Sequence, residues 1–133
     1  MGYQVVDPEK GESIPDRPCL TRPITGDRAP KSEGTDDGVT FDRLGIRLYE
    51  VAPGEQLPLQ YHYHDIQEDA FPVLSGTLHV ETPEQTYTVD EGDLFLAESE
   101  SPHRAFNPES ASNVVRALAV GAPTSDGGNA YEP

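Results

Sequence analysis

Proline and glycine interrupt this chain so often that it has no room for a long helix. Its 133 residues include 13 prolines and 12 glycines. Proline removes a backbone donor and blocks helix interiors, while glycine weakens helices and strands alike. The first forty residues carry Pro8, Pro15, Pro18, Pro23 and Pro30, and no helical period survives there. Between the later interruptions lie short runs rich in β-branched and aromatic residues. Such runs, closely spaced and bounded by turn residues, predict a small all-β sandwich or barrel.

Read in order, the chain opens on an extended arm, residues 1–40. Tyr3–Val6 and Cys19–Thr21 are predicted to add strands to it, and Lys31–Gly38 to form an exposed loop. A barrel follows at 41–121. Its predicted strands are Ile46–Val51, Leu57–His64, Ala70–Leu74, a hairpin of Thr77–Thr82 with Thr86–Val89, Asp93–Ala97, 103–107 and Val114–Val120. The tail, 122–133, is rich in Gly and Pro and is expected to lie on the surface or to cover a neighbour.

Charge narrows the function classes. Acidic residues number 24 against 9 basic ones, a net −15 with a pI near 4.3. Only Lys10 and Lys31 are lysines. Dispersed acid with scarce lysine is the composition expected where molar salt screens self-repulsion, so a halophilic source is expected. No basic patch exists to meet phosphates, which argues against nucleic acid and against an anionic membrane surface. No apolar run reaches bilayer length and no signal pattern opens the sequence. Cys19 is the single cysteine, so no intramolecular disulfide forms, and a cytoplasmic location is the default expectation.

Three of the four histidines fall in two clusters, Tyr61-His62-Tyr63-His64 and, about forty residues on, Ser101-Pro102-His103. Histidines at i and i+2 of a strand point the same way. A carboxylate and a third histidine from later strands can then converge on them inside a barrel. Neutral imidazole and carboxylate are the usual ligands of divalent first-row metals. The fourth, His79, alternates with Thr77 and Glu81 and reads as a surface residue.

These residues resemble the two motifs of the cupin superfamily. Gly54, His62, His64 and Gly76 match the first motif. Gly92, His103 and Asn107 match the second, and flanking strands extend the likeness to about 41–121. The resemblance implies a double-stranded β-helix (jelly-roll) barrel holding one divalent transition metal per chain, Fe, Mn, Ni, Co or Zn. The chain as a whole is similar to small single-domain cupins of halophilic microbes.

This sequence departs from the family pattern at four points. Gly54 and His62 are separated by seven residues rather than five, and Glu98-Ser99-Glu100 stands where the family has Pro-x-Gly. Pro72 replaces a usual aromatic inside a strand, which implies an edge or a bulge. Counting back from Gly76 puts Asp69, not Glu68, at the carboxylate position. Asp69 also shares strand parity with Phe71 and Val73, so Glu68 is the alternative ligand only if a bulge intervenes.

Three imidazoles and at most one carboxylate leave positions open on an octahedral metal, as a catalytic site requires. Gln60 shares parity with the histidines and is a candidate pocket residue. Phe71 is another, although it reads first as core, and Arg116 would hold an anionic ligand if its face of the last strand is inward. Glu50 and Glu68 are the candidate bases. By analogy the resemblance implies a metal-dependent enzyme of dioxygenase or isomerase type acting on a small molecule. A cupin that binds or senses a small ligand without turnover is the alternative. The long arm suggests exchange between two copies, hence a homodimer.

Overall fold

The computed structural model describes residues 3–26, 28–30, 41–124 and 126–133, and these are almost wholly β. The loop expected at Lys31–Gly38 lies outside the described residues. A one-turn helix, Pro8–Lys10, is capped by the Asp7 carboxylate, which accepts from Glu9 N at 3.0 Å. Ten strands follow: β1 Leu20–Pro23, β2 Gly45–Val51, β3 His62–Tyr63, β4 Glu68–Ser75, β5 Leu78–Glu81, β6 Thr86–Val89, β7 Leu94–Ala97, β8 Arg104–Phe106, β9 Val115–Ala122 and β10 Asn129–Ala130.

One layer is a five-stranded antiparallel sheet in the order β1-β2-β9-β4-β7. The facing layer is β6-β5-β8, continued by a bridge between His62 and His103 into the pair β3-β10. Inward side chains of both layers form one core, with Val51, Leu78, Val80, Val115 and Ala117 almost fully buried. Alternation does this: on β9, Val115, Ala117 and Gly121 are buried between more exposed neighbours. Burying each large aliphatic side chain contributes about 1.5–3 kcal/mol.

The arm belongs to the sheet. β1 pairs with β2 from Leu20↔Glu50 to Pro23↔Arg47, and Cys19 and Thr21 are buried beneath it. Tyr3 and Val5 are exposed and form no strand, because nothing apolar covers them. The strand expected over Leu57–His64 shrinks to His62–Tyr63. Leu59 and Gln60 take φ of 69° and 50°, a left-handed turn that a strand cannot contain.

Pro72 sits in β4, between β9 and β7. The β4–β9 register names no pair at Pro72 and shifts between Val73 and Ser75. The missing donor of proline therefore falls at a break in the ladder. Glu100, at the position where the motif has glycine, adopts φ 63° and donates its N–H to the His64 carbonyl at 2.6 Å. The left-handed turn before His103 is thus kept without the residue that makes it easy.

Candidate metal centre

His62 and His103 stand directly opposite each other and exchange both backbone hydrogen bonds, N–H to O at 3.1 and 2.9 Å. Residues so paired project to the same face, and their rings lie 4.7 Å apart. His64, two residues along, joins that face, its ring 4.9 Å from that of His62. Asp69 enters from β4 in the other layer. Its neighbours across the sheet are Ala97 and Gly121, both small. A Cβ on Gly121 would come within 2.5 Å of Gln67 Nε2 and 3.0 Å of Asp69 Oδ1, so glycine is what lets the carboxylate lie there.

Asp69 Oδ2 is 3.3 Å from His64 Nε2 and 3.4 Å from His103 Nε2. Ligand atoms of His62, His64 and Asp69 all lie within 4.8 Å of one another. The three rings are 7%, 5% and 2% exposed for His62, His64 and His103. Two rings are oriented from behind: His62 Nδ1 meets the Gln60 carbonyl at 3.0 Å, and His103 Nδ1 meets that of Ser101 at 2.8 Å. With Nδ1 carrying the proton for those carbonyls, Nε2 is left as a lone-pair donor facing the cavity. Gln67 orients the carboxylate, donating from Nε2 to Asp69 Oδ1 at 2.7 Å.

The electrostatics agree with that arrangement. Burial holds His62 below the ordinary imidazole pKa, so its ring stays neutral near pH 7. Burial alone would raise the Asp69 carboxyl. The close contacts of His103, Gln67 and His64 outweigh it, and Asp69 lies below its usual value. The buried His103 Nε2 makes no hydrogen bond of good geometry although Asp69 Oδ2 is close. A buried imidazole lone pair beside a carboxylate oxygen is a donor pair that a cation between them would satisfy. Imidazole nitrogens and one carboxylate are the donor chemistry of a divalent first-row metal, and adjacent donors on such an ion sit about 3 Å apart. The residues fit one.

The centre opens on a cavity of about 590 Å³ whose wall includes Gln60, Phe71, Arg47 and Tyr49. Glu68 is exposed and turned away, as parity with Asp69 requires. Phe71 is a core residue that touches the site, its ring 5.5 Å from that of His103. Arg116 does not join the wall. Its neighbours Val115 and Ala117 take the inner face of β9, so Arg116 lies on the outer one, bound to Glu9 and, at 3.3 Å, to Glu50 Oε1. The same contact places Glu50 outside. Asn107 is buried and structural, donating from Nδ2 to the carbonyls of Val51 at 2.9 Å and Asn113 at 2.8 Å. Gln67 went unnoticed in the sequence, although its parity with Asp69 was a signal. Arg47 and Tyr49 gave none.

The profile described as Cupin domain matches residues 47–121. The chain belongs to the cupin family. No curated protein matches its sequence. Among solved structures, this cupin is similar to the polyketide cyclase RemF of Streptomyces resistomycificus, with 16% identity, 98% of this chain and 87% of that one covered, and a TM-score of 0.70. It is similar also to an uncharacterized conserved protein of Klebsiella pneumoniae with a double-stranded β-helix domain, at 18% identity, 98% and 99% coverage and a TM-score of 0.67. At such identities the likeness is one of fold. A protein of Acidithiobacillus ferrooxidans, provisionally assigned as a sugar phosphate isomerase, reaches 26% identity over 60% of this cupin with a TM-score of 0.54. The match spans 50% of the length of that relative.

Proposed function

We propose that this cupin is a metal-dependent enzyme acting on a small molecule at a mononuclear centre. His62, His64 and His103 hold the ion and Asp69 is the fourth donor. The observation that carries the reading is the buried meeting of His103 Nε2, His64 Nε2 and one carboxylate oxygen, Asp69 Oδ2, beside a cavity. A divalent metal bound there supplies Lewis acidity toward a carbonyl or carboxylate oxygen and, if it is Fe(II), O₂ activation. The chain itself does the rest. Gln60 and Ser101 carbonyls fix two rings, Gln67 fixes the carboxylate, and Phe71 shields the site from bulk water. The cyclase and the provisional isomerase among the relatives support carbon-skeleton or proton-shift chemistry, so isomerase-type reaction comes first and dioxygenation second. Within this reading the molecule is a cytoplasmic homodimer.

One observation favours a cupin that binds or senses a ligand without turnover. Glu50 is engaged by Arg116 and Glu68 is exposed, so among the described residues Asp69 is the sole carboxylate paired with the imidazoles. Two further carboxylates on the cavity wall, Asp16 and Asp126, pair with no imidazole among the described residues.

Elemental mass spectrometry on protein purified without an affinity-metal column tests the centre. About one metal per chain is expected, retained in His79→Ala and lost in His62→Ala and His103→Ala. Equal loss in all three variants, or no metal after anaerobic reloading, would sink the assignment. Loaded protein that turns over no sugar phosphate, hydroxy acid or phenol would shift the reading to the binding cupin.

A further inference from the structure

The inner face of β2 presents Gly45, Arg47 and Tyr49 in turn to the cavity. Across the sheet they meet Gly121, Ala119 and Ala117 of β9, all small. That pairing leaves the space the cavity occupies, with a guanidinium on its wall. Tyr49 is 5% exposed, and the Arg47 guanidinium sits beside its hydroxyl. Burial holds the Tyr49 phenol above its ordinary pKa, so it stays a hydrogen-bond donor.

Some arginines of this acidic chain are engaged by acceptors outside the cavity. Arg104 is held by Glu81 at 2.9 Å, Arg116 by Glu9 and Glu50, and Arg22 by the Gly11 carbonyl at 3.0 Å. With 24 acidic residues to 9 basic ones, carboxylate partners abound. Among the described residues, Arg17, Arg22, Arg28, Arg43 and Arg47 form no ion pair, and of these Arg17 and Arg47 line the cavity. Asp126 on the same wall accepts Ile66 and Gln67 N–H groups, each at 2.7 Å, and so is turned toward backbone. A dication held by the imidazoles and Asp69 would add positive charge there. The wall carries Asp16, Asp69 and Asp126 beside Arg17 and Arg47, so it is a bound dication that would turn the cavity net positive within an anionic molecule.

We propose that the cavity takes a small oxyanion, a carboxylate or a phosphate, clamped between the metal centre and Arg47 with the Tyr49 hydroxyl as a second donor. The assignment rests on the metal reading above for one end of the clamp only. The guanidinium fork matches either oxyanion in two parallel hydrogen bonds, which an ammonium does not. Arg17 at the mouth attracts the ligand. A cavity of about 590 Å³ suits a small molecule.

Calorimetric titration of the full-length, Mn-loaded protein with inorganic phosphate and, separately, with lactate at constant ionic strength tests this. One or both anions bind, and the stronger of the two assigns the phosphate or carboxylate class. Arg47→Gln weakens that binding at least about tenfold, with metal content and thermal midpoint unchanged. Arg47→Lys recovers only part of it, Tyr49→Phe loses severalfold, and Arg116→Gln on the outer face loses nothing. Unchanged affinity in Arg47→Gln, or no binding of either anion up to about 10 mM, would overturn the proposal. Metal content is measured on every sample first, so a chain that holds no metal fails the metal reading. An Arg47-dependent anion site seen in that metal-free chain still supports this one.

Discussion

At the scale of single residues, Asn107 shows how much one side chain can organise. Its amide binds two carbonyls from different segments, those of Val51 on β2 and Asn113 before β9, and holds the start of β9 to the end of β2. Asn107→Ala leaves the buried Val51 carbonyl without that donor. A loss of about 2 kcal/mol in urea unfolding is expected, with the m-value unchanged. A loss under about 0.5 kcal/mol would show that the amide holds little. The motif spacing marked this position in the sequence, and strand parity marked His62, His64 and Asp69. What parity misjudged was Arg116. Which face of β9 is inner follows from what packs on it, and a strand read alone has no inside.

At the scale of elements, the tail is the segment that the sequence represented least well. Gly/Pro-rich composition suggested surface coil, yet β10 pairs with β3 at Asn129↔Tyr63 and Ala130↔His62. The Tyr131 and Tyr61 rings lie 4.9 Å apart, and Asn129 Nδ2 donates to Asp65 Oδ1 at 3.2 Å. The strap runs over the histidine cluster: a Cβ on Gly128 would meet Leu59 Cδ1 at 2.9 Å and His62 Cδ2 at 3.3 Å. Glycine lets the backbone roof the rings. Removing residues 126–133 is expected to leave the two-layer core folded, since none of the core cluster lies there. Bound metal should then escape to a competing chelator about tenfold faster, because local opening no longer limits access. An unchanged escape rate would mean that the strap is only decoration. The β-strands of the barrel were legible because period-two patterning is local. The strap was not, because its pairing partner lies more than sixty residues away in a chain of 133 and only two residues carry it.

At the scale of the whole molecule, a net charge of −15 dominates behaviour in solution. Like charges repel in the folded state more than in the expanded one, and salt shortens their reach from about 10 Å at 0.1 M to about 3 Å at 1 M. The thermal midpoint is therefore expected to rise by about 5 °C or more between those NaCl concentrations, the equivalent of roughly 1 kcal/mol for a domain of this size. A midpoint that stays level or falls would mean that the dispersed acids are paired or too far apart to matter. No helix is long and apolar enough to cross a membrane.

By itself the sequence determined the fold class, the order of the barrel strands and the shared face of His62 and His64. Each follows from alternation along a strand and from glycine positions such as Gly76 and Gly92, whose φ of 80° and 88° a turn requires. Tertiary structure alone decided that Arg47 and Tyr49 line the cavity while Arg116 leaves it, that Gln67 aligns Asp69, and that the tail roofs the centre. These depend on which strand lies beside which and on the small residues opposite them. The physical reason is that pleat geometry is written into neighbours two apart, whereas packing faces and long-range pairing exist only once the sheets have closed.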